Sequence, residues 1–190
     1  MNLVHLAKQA VESYIKERKI ISPPEDFPQE FLTKRAGTFV TIEKDGQLQG
    51  CIGTYLPTKI NIAQEIIHNA VAAATEDYRF SPIKEEELPC LSYTVYVLSY
   101  PQPVKDIGTL NPKKFGIIVK TAPFAYPDEN VVFDGRVPFK SGLLLPDLAG
   151  VDTIEQQISI ACQKGGVDPA KEKVFIYRFT VEKHAAGKKD

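Results

Sequence analysis

The sequence predicts an α+β fold with a largely antiparallel sheet flanked by about three helices, on three observations. Strand-like runs are grouped between only three substantial helical stripes. An Asp45-Gly46 dipeptide sits between two alternating runs, the signature of a two-residue β-hairpin turn. Regular strand-helix-strand alternation is missing, and so is any internal repeat.

Each element follows from local pattern. Leu3, Leu6, Ala7, Ala10, Val11, Tyr14 and Ile15 recur at helical spacing with polar residues between them, predicting an opening amphipathic helix. Residues 21–28 hold adjacent prolines Pro23 and Pro24, which remove donors and force extended backbone, so this stretch is expected to be a surface linker. Thr38 to Glu43 reads as a strand that returns through Leu48, Gly50 and Ile52. A two-residue turn then sets Val40 opposite Cys51 and Phe39 opposite Ile52, with Cys51 on the face of Val40, Ile42 and Gln49. Both faces carry apolar groups, which predicts a covering layer on each.

Asn61 with Gln64 resembles a capping box ahead of the stripe Ala63, Ile66, Ile67, Ala70, Val71 and Ala74. That helix ends around Glu76 to Pro82. Leu91 to Tyr100 alternates as a half-buried strand, Phe115 to Lys120 and Ser141 to Pro146 give two more, and Thr121 to Lys140 is expected to be an irregular excursion. Asp152 with Glu155 marks a second capping box, opening a helix with Ile154, Ile158, Ala161 and Cys162 inward and Gly165-Gly166 as its stop. Val174 to Val181 reads as the last strand. The expected organisation is one domain over residues 1–184, with a smaller lobe around 110–146 and a disordered tail at 185–190.

Composition narrows the function. At 190 residues and 43% hydrophobic content the chain can bury a large core. Its 23 basic and 24 acidic residues create no field that would gather nucleic acid or an anionic membrane, so neither is an expected partner. No cationic leader precedes an apolar segment and no run is long enough to span a bilayer, which points to the cytoplasm. Cys51, Cys90 and Cys162 are widely spaced without Cys-x-x-Cys, which argues against a disulfide scaffold or a zinc site. A P-loop and a dinucleotide fingerprint are both missing, and no cofactor or metal is called for.

The stretch from Gln47 to Pro57 stands out. Cys51 lies between Gly50 and Gly53, in backbone that a ligand or another segment can approach closely. Cys51 is the candidate nucleophile or redox thiol, with close packing as the alternative. The amides of Gly50, Gly53 and Thr54 are a candidate cradle for an oxyanion or phosphate. Asp77 and Arg79 either orient a charged ligand or form a structural ion pair. His68, beside a buried stripe, reads as structural or surface, and Glu85 to Glu87 as a solvated face.

Three blocks in order carry a family resemblance: Gly50-Cys51-Ile52-Gly53-Thr54, Asp77-Tyr78-Arg79-Phe80-Ser81-Pro82, and Gly142-Leu143-Leu144-Leu145-Pro146 followed by a cysteine-bearing helix. The chain resembles the AMMECR-type domain family over nearly its whole length. The resemblance implies a two-lobed domain with a cleft at the Gly-Cys-Ile-Gly motif, lined also by Gly142. It further implies association with Memo-type and radical S-adenosylmethionine proteins, and an unsettled biochemical activity. A binding or partner-docking role is expected ahead of the alternative, a cysteine-dependent enzyme acting on a small organic substrate. A homodimer is left open. The chain departs from the family pattern at Gln49, where arginine is usual, and at Phe115, where His-Gly is common. The second departure removes a histidine general base from that position.

Overall fold

The computed structural model describes residues 2–122 and 139–185. Its elements are α1 (Leu3–Glu17), α2 (Gln29–Thr33), β1 (Thr38–Lys44), β2 (Gln47–Gly53), α3 (Ile62–Thr75), β3 (Leu91–Leu98), β4 (Gln102–Pro103), β5 (Gly116–Lys120), β6 (Ser141–Leu144), α4 (Ile154–Gly165), β7 (Phe175–Phe179) and β8 (Val181–Ala185). Short 3-10 turns cover Glu85–Cys90 and Ile107–Thr109. The α+β class holds, with two four-stranded sheets where one was expected, ordered β2-β1-β3-β8 and β4-β7-β5-β6. The chain divides into two compact units, residues 1–100 with 182–190, and residues 101–181. Most of the Thr121 to Lys140 excursion and the tail beyond Ala185 lie outside the described residues.

In the first unit α1 and α3 pack on one face of the sheet. Leu3, Leu6, Ala7, Ala10 and Val11 of α1 meet Ile66, Ile67, Ala70 and Ala74 of α3 over Val40, Ile42 and Val95 in one continuous core. Burying each large aliphatic side chain of this kind contributes about 1.5–3 kcal/mol before entropy is counted. The proline-rich segment is more than a surface linker. Phe27 within it is only 2% exposed and Pro28 starts α2, because extended backbone ahead of a proline still lets its neighbours turn inward.

The β1–β2 turn is as expected, with Asp45 (φ 52°) and Gly46 (φ 76°) both left-handed. The register beyond it is not. Glu43 faces Leu48, but Ile42 faces Gly50, so Gln49 is the extra residue of a β-bulge. One inserted residue moves every later side chain to the other face. Cys51 therefore lies opposite Thr41 rather than Val40, Ile52 opposite Val40 rather than Phe39, and Cys51 shares its face with Thr41 and Phe39. Of the two predicted coverings, the helices supply one. Val40 and Ile42 are fully buried beneath them, while Phe39, Thr41, Cys51 and Tyr96 on the opposite face are partly exposed.

In the second unit α4 packs Ala161 and Cys162 onto Ile117, Val119 and Leu144. Its cap is Thr153 with Gln156 in a full capping box, one residue after the expected Asp152–Glu155 pair; both pairs have the required spacing, and the hydroxyl takes the cap. Gly166 closes the helix at φ 62°. The expected final strand breaks at Thr180, β7 joining the second sheet and β8 the first.

Candidate functional site

Six of the seven residues singled out from the sequence come together in the first unit. Gly142 lies in the second, on β6.

The glycines are filled from within. A Cβ at Gly50 would overlap the carbonyl oxygen of Ala73 on α3, so this glycine lets β2 lie directly on the helix backbone. A Cβ at Gly53 would strike the Phe39 ring and the Thr38 carbonyl oxygen, and one at Gly142 the Ala161 carbonyl oxygen of α4. The space beside each glycine is thus occupied by the protein's own backbone or ring.

Asp77 sits just past the end of α3 and is 5% exposed. Its Oδ1 accepts from Arg79 Nε at 2.9 Å and its Oδ2 from Arg79 Nη2 at 2.7 Å, a bidentate pair. Oδ2 also accepts from the Cys51 amide at 2.9 Å, and Arg79 Nη2 reaches the Cys51 carbonyl oxygen at 3.4 Å. Opposite Thr41, the Cys51 peptide points its N–H and C=O away from β1, and the ion pair satisfies both, closing an edge strand that would otherwise be open. The pair ties the helix end to the strand and holds Arg79 in one orientation. The Arg79 hydrogen bonds pull the Asp77 carboxyl down to about 2, and the Asp77 carboxylate raises the Arg79 guanidinium above its ordinary value. The Arg79 side chain remains 45% exposed, and among the described residues no acceptor meets its Nη1.

Cys51 is half-buried, and its Sγ accepts from Thr41 Oγ1 at 3.3 Å. The thiol lies within electrostatic reach of Arg79 and of Tyr96, whose hydroxyl burial pushes up, helped by the charges of Cys51 and Glu43. Lys183 Nζ stands 5.9 Å from the Tyr96 ring centroid. The other thiols differ: Cys90 is exposed, and Cys162 is buried, which pushes its thiol up. None of the Cys51 hydrogen bonds involves histidine. His68 lies on the exposed side of α3, and Glu87 pairs with Lys44 at 2.9 Å.

Sequence reasoning missed Glu65. It is 1% exposed in the first turn of α3, where a carboxylate suits the helix dipole. Oε1 accepts from Thr54 Oγ1 at 2.7 Å and Thr58 Oγ1 at 2.9 Å, and Oε2 from the amides of Thr58 and Lys59, each at 2.7 Å. Arg35 holds the same loop from outside through the carbonyls of Pro57 and Lys59. Thr54 thus spends its hydroxyl on Glu65 and its amide on the Thr38 carbonyl, which Asn69 Nδ2 also reaches. The available signal was position: Glu65 and Asn69 fall on the same stripe as Ile62, Ile66 and Ala73. Among the described residues no three His, Cys, Asp or Glu side chains gather to hold a metal ion, and no helix is long and apolar enough to cross a membrane.

Comparison with known proteins places these features in a family. The family model described as AMMECR1 matches residues 4–184. A protein of Thermotoga maritima is 47% identical over 182 residues, covering 95% of both chains. A Clostridium acetobutylicum protein is 37% identical over 95% of this chain, which spans 35% of its length. The crystal structure of an uncharacterised protein from Pyrococcus horikoshii aligns with a TM-score of 0.79 and 31% identity, over 95% of this chain and 88% of the other.

Proposed function

The chain belongs to the AMMECR1 family, and we propose that it is a binding domain that holds a small organic anion beside Cys51, with Arg79 as the charge contact. One observation carries this reading. Arg79 is fixed by a nearly buried carboxylate through Nε and Nη2 and lies over the Phe80 ring, 5.2 Å from its centroid, yet its Nη1 meets no acceptor among the described residues and its side chain is 45% exposed. A guanidinium held this way loses little freedom on binding a carboxylate or phosphate, which raises affinity. In this reading the ligand is shared with Memo-type and radical S-adenosylmethionine proteins, the partners that the family resemblance implied. The Clostridium relative, in which the matching region is about a third of a longer chain, supports a domain that works beside others.

A second reading, in which Cys51 is the nucleophile of an enzyme acting on a small organic substrate, is favoured by the Thr41 hydroxyl bonded to Sγ, since a donor to sulfur supports the thiolate. Calorimetric titration with small hydroxy- and ketocarboxylates, glycolate, pyruvate and malate among them, tests the binding role. Binding that disappears in Arg79→Gln supports it, and equal heats from both proteins would refute it. Product formation by the isolated chain, lost in Cys51→Ala, would move the conclusion to the enzyme.

A further inference from the structure

The two units share one plan. In the first, hairpin β1–β2 is followed by α3 and then by β3, which returns antiparallel to β1, giving the order β2-β1-β3. In the second, β5 pairs antiparallel with β6, α4 follows, and β7 returns antiparallel to β5, giving β6-β5-β7. Each helix joins two strands that flank a third, a crossover that takes one hand in nearly every sheet. A glycine marks the same place in both: Gly50 of β2 lies under the Ala73 carbonyl of α3, and Gly142 of β6 under the Ala161 carbonyl of α4.

Matching these glycines and following the strand registers pairs Ile42 with Val119 and Tyr93 with Ile176. One residue further along, Cys51 matches Leu143, Thr41 matches Ile118 and Thr94 matches Tyr177. In the second unit this row is Leu143, Ile118 and Tyr177, Leu143 partly buried, Ile118 fully buried and Tyr177 nearly so. In the first it is a thiol flanked by hydroxyls, all partly exposed. The plan therefore accommodates a purely apolar β-branched side chain at the place of Thr41, and the sheet itself does not need a hydroxyl there. What that hydroxyl does is donate to Cys51 Sγ at 3.3 Å.

We propose that Thr41 is a positioning residue of the Cys51 site, its hydroxyl holding the thiol in place and supporting the thiolate. The inference rests on the reading of this face as the binding site and adds to it a residue that the sequence did not single out.

The test is the rate of Cys51 alkylation by iodoacetamide from pH 5.5 to 10 in the wild type, Thr41→Val and Thr41→Ser, read by peptide mass spectrometry with exposed Cys90 as internal reference. Thr41→Val is expected to slow Cys51 relative to Cys90 about tenfold at pH 7 and to move its midpoint upward, the effect of one lost hydrogen bond to an ion at the weak end of the usual range. Thr41→Ser is expected to restore both, and Thr41→Val to melt with the wild type, as Ile118 at the matching place implies. An unmoved pH profile in Thr41→Val overturns the inference. So does a Cys51 that stays inert in the native wild type, or a Thr41→Val protein that no longer folds, because the hydroxyl would then be structural. Carboxylate binding that is lost in Arg79→Gln, together with an unmoved Thr41→Val profile, would sink this inference and leave the anion site standing.

Discussion

Replacing Asp77 with asparagine keeps the side chain's shape and removes its charge, so the change isolates what the carboxylate contributes to the Cys51 edge. The folded carboxyl titrates at about 2, against 3.8 for its ordinary value. A depression of that size corresponds to about 2 kcal/mol of stability in the ionised state. Arg79 is 45% exposed, and water screens its share, which brings the expected loss to about 1–2 kcal/mol. The folded value is depressed, so the contribution is fully present above about pH 4 and is lost as pH falls through about 2. Thermal melts from pH 2 to 8 provide the assay. Asp77→Asn is expected to melt about 2–8 °C below the wild type at pH 7, at roughly 2–4 °C per kcal/mol for a chain of this size. The gap should narrow toward pH 2, where about half of the wild-type carboxyls have taken up a proton and lost the charge. Equal melting temperatures at pH 7, or a gap that does not change with pH, would refute the reasoning.

Two further outcomes follow from the same geometry. Gly50→Ala forces a Cβ into the Ala73 carbonyl oxygen, with backbone on both sides unable to yield cheaply, and is expected to cost about 3 kcal/mol in denaturant unfolding, as is Gly142→Ala against Ala161; a cost under about 1 kcal/mol at both would show that the contacts relax freely. Glu65→Ala leaves two amides and two hydroxyls without their acceptor, so the Thr58 and Lys59 amides should exchange hydrogen at least tenfold faster, and unchanged exchange would mean that the loop is held from elsewhere.

Local signals carried much of the fold. The Asp45-Gly46 turn, the Gly166 stop and the stripes of α1 and α3 were all legible, because each depends on residues a few positions apart. The register of β2 was not legible, since the bulge at Gln49 depends on how the strand meets its partner, and that single residue turned Cys51 away from Val40. The likeness of the two units was hidden for a related reason. Two residues join β1 to β2 whereas residues 121–140 lie between β5 and β6, so neither spacing nor identity repeats while register does. At the site, Cys51, Asp77 and Arg79 were legible as chemistry-bearing residues, and their mutual contacts follow from the fold. Glu65 was overlooked because an acid in a helix's first turn reads as solvated, and Phe27 because prolines mask a buried aromatic in a connecting segment.

The central claim is that Arg79 presents its charge to whatever reaches Cys51. Its most direct measurement is the ratio of alkylation rates by iodoacetate and its neutral twin iodoacetamide at Cys51, set against the same ratio at Cys90, in the wild type and in Arg79→Gln. A fixed cation beside the thiol should favour the anionic reagent at Cys51 by about fivefold over Cys90, and Arg79→Gln should bring the two cysteines level. Identical ratios at Cys51 in the two proteins would contradict the account, leaving Arg79 as the clasp of a strand edge and nothing more.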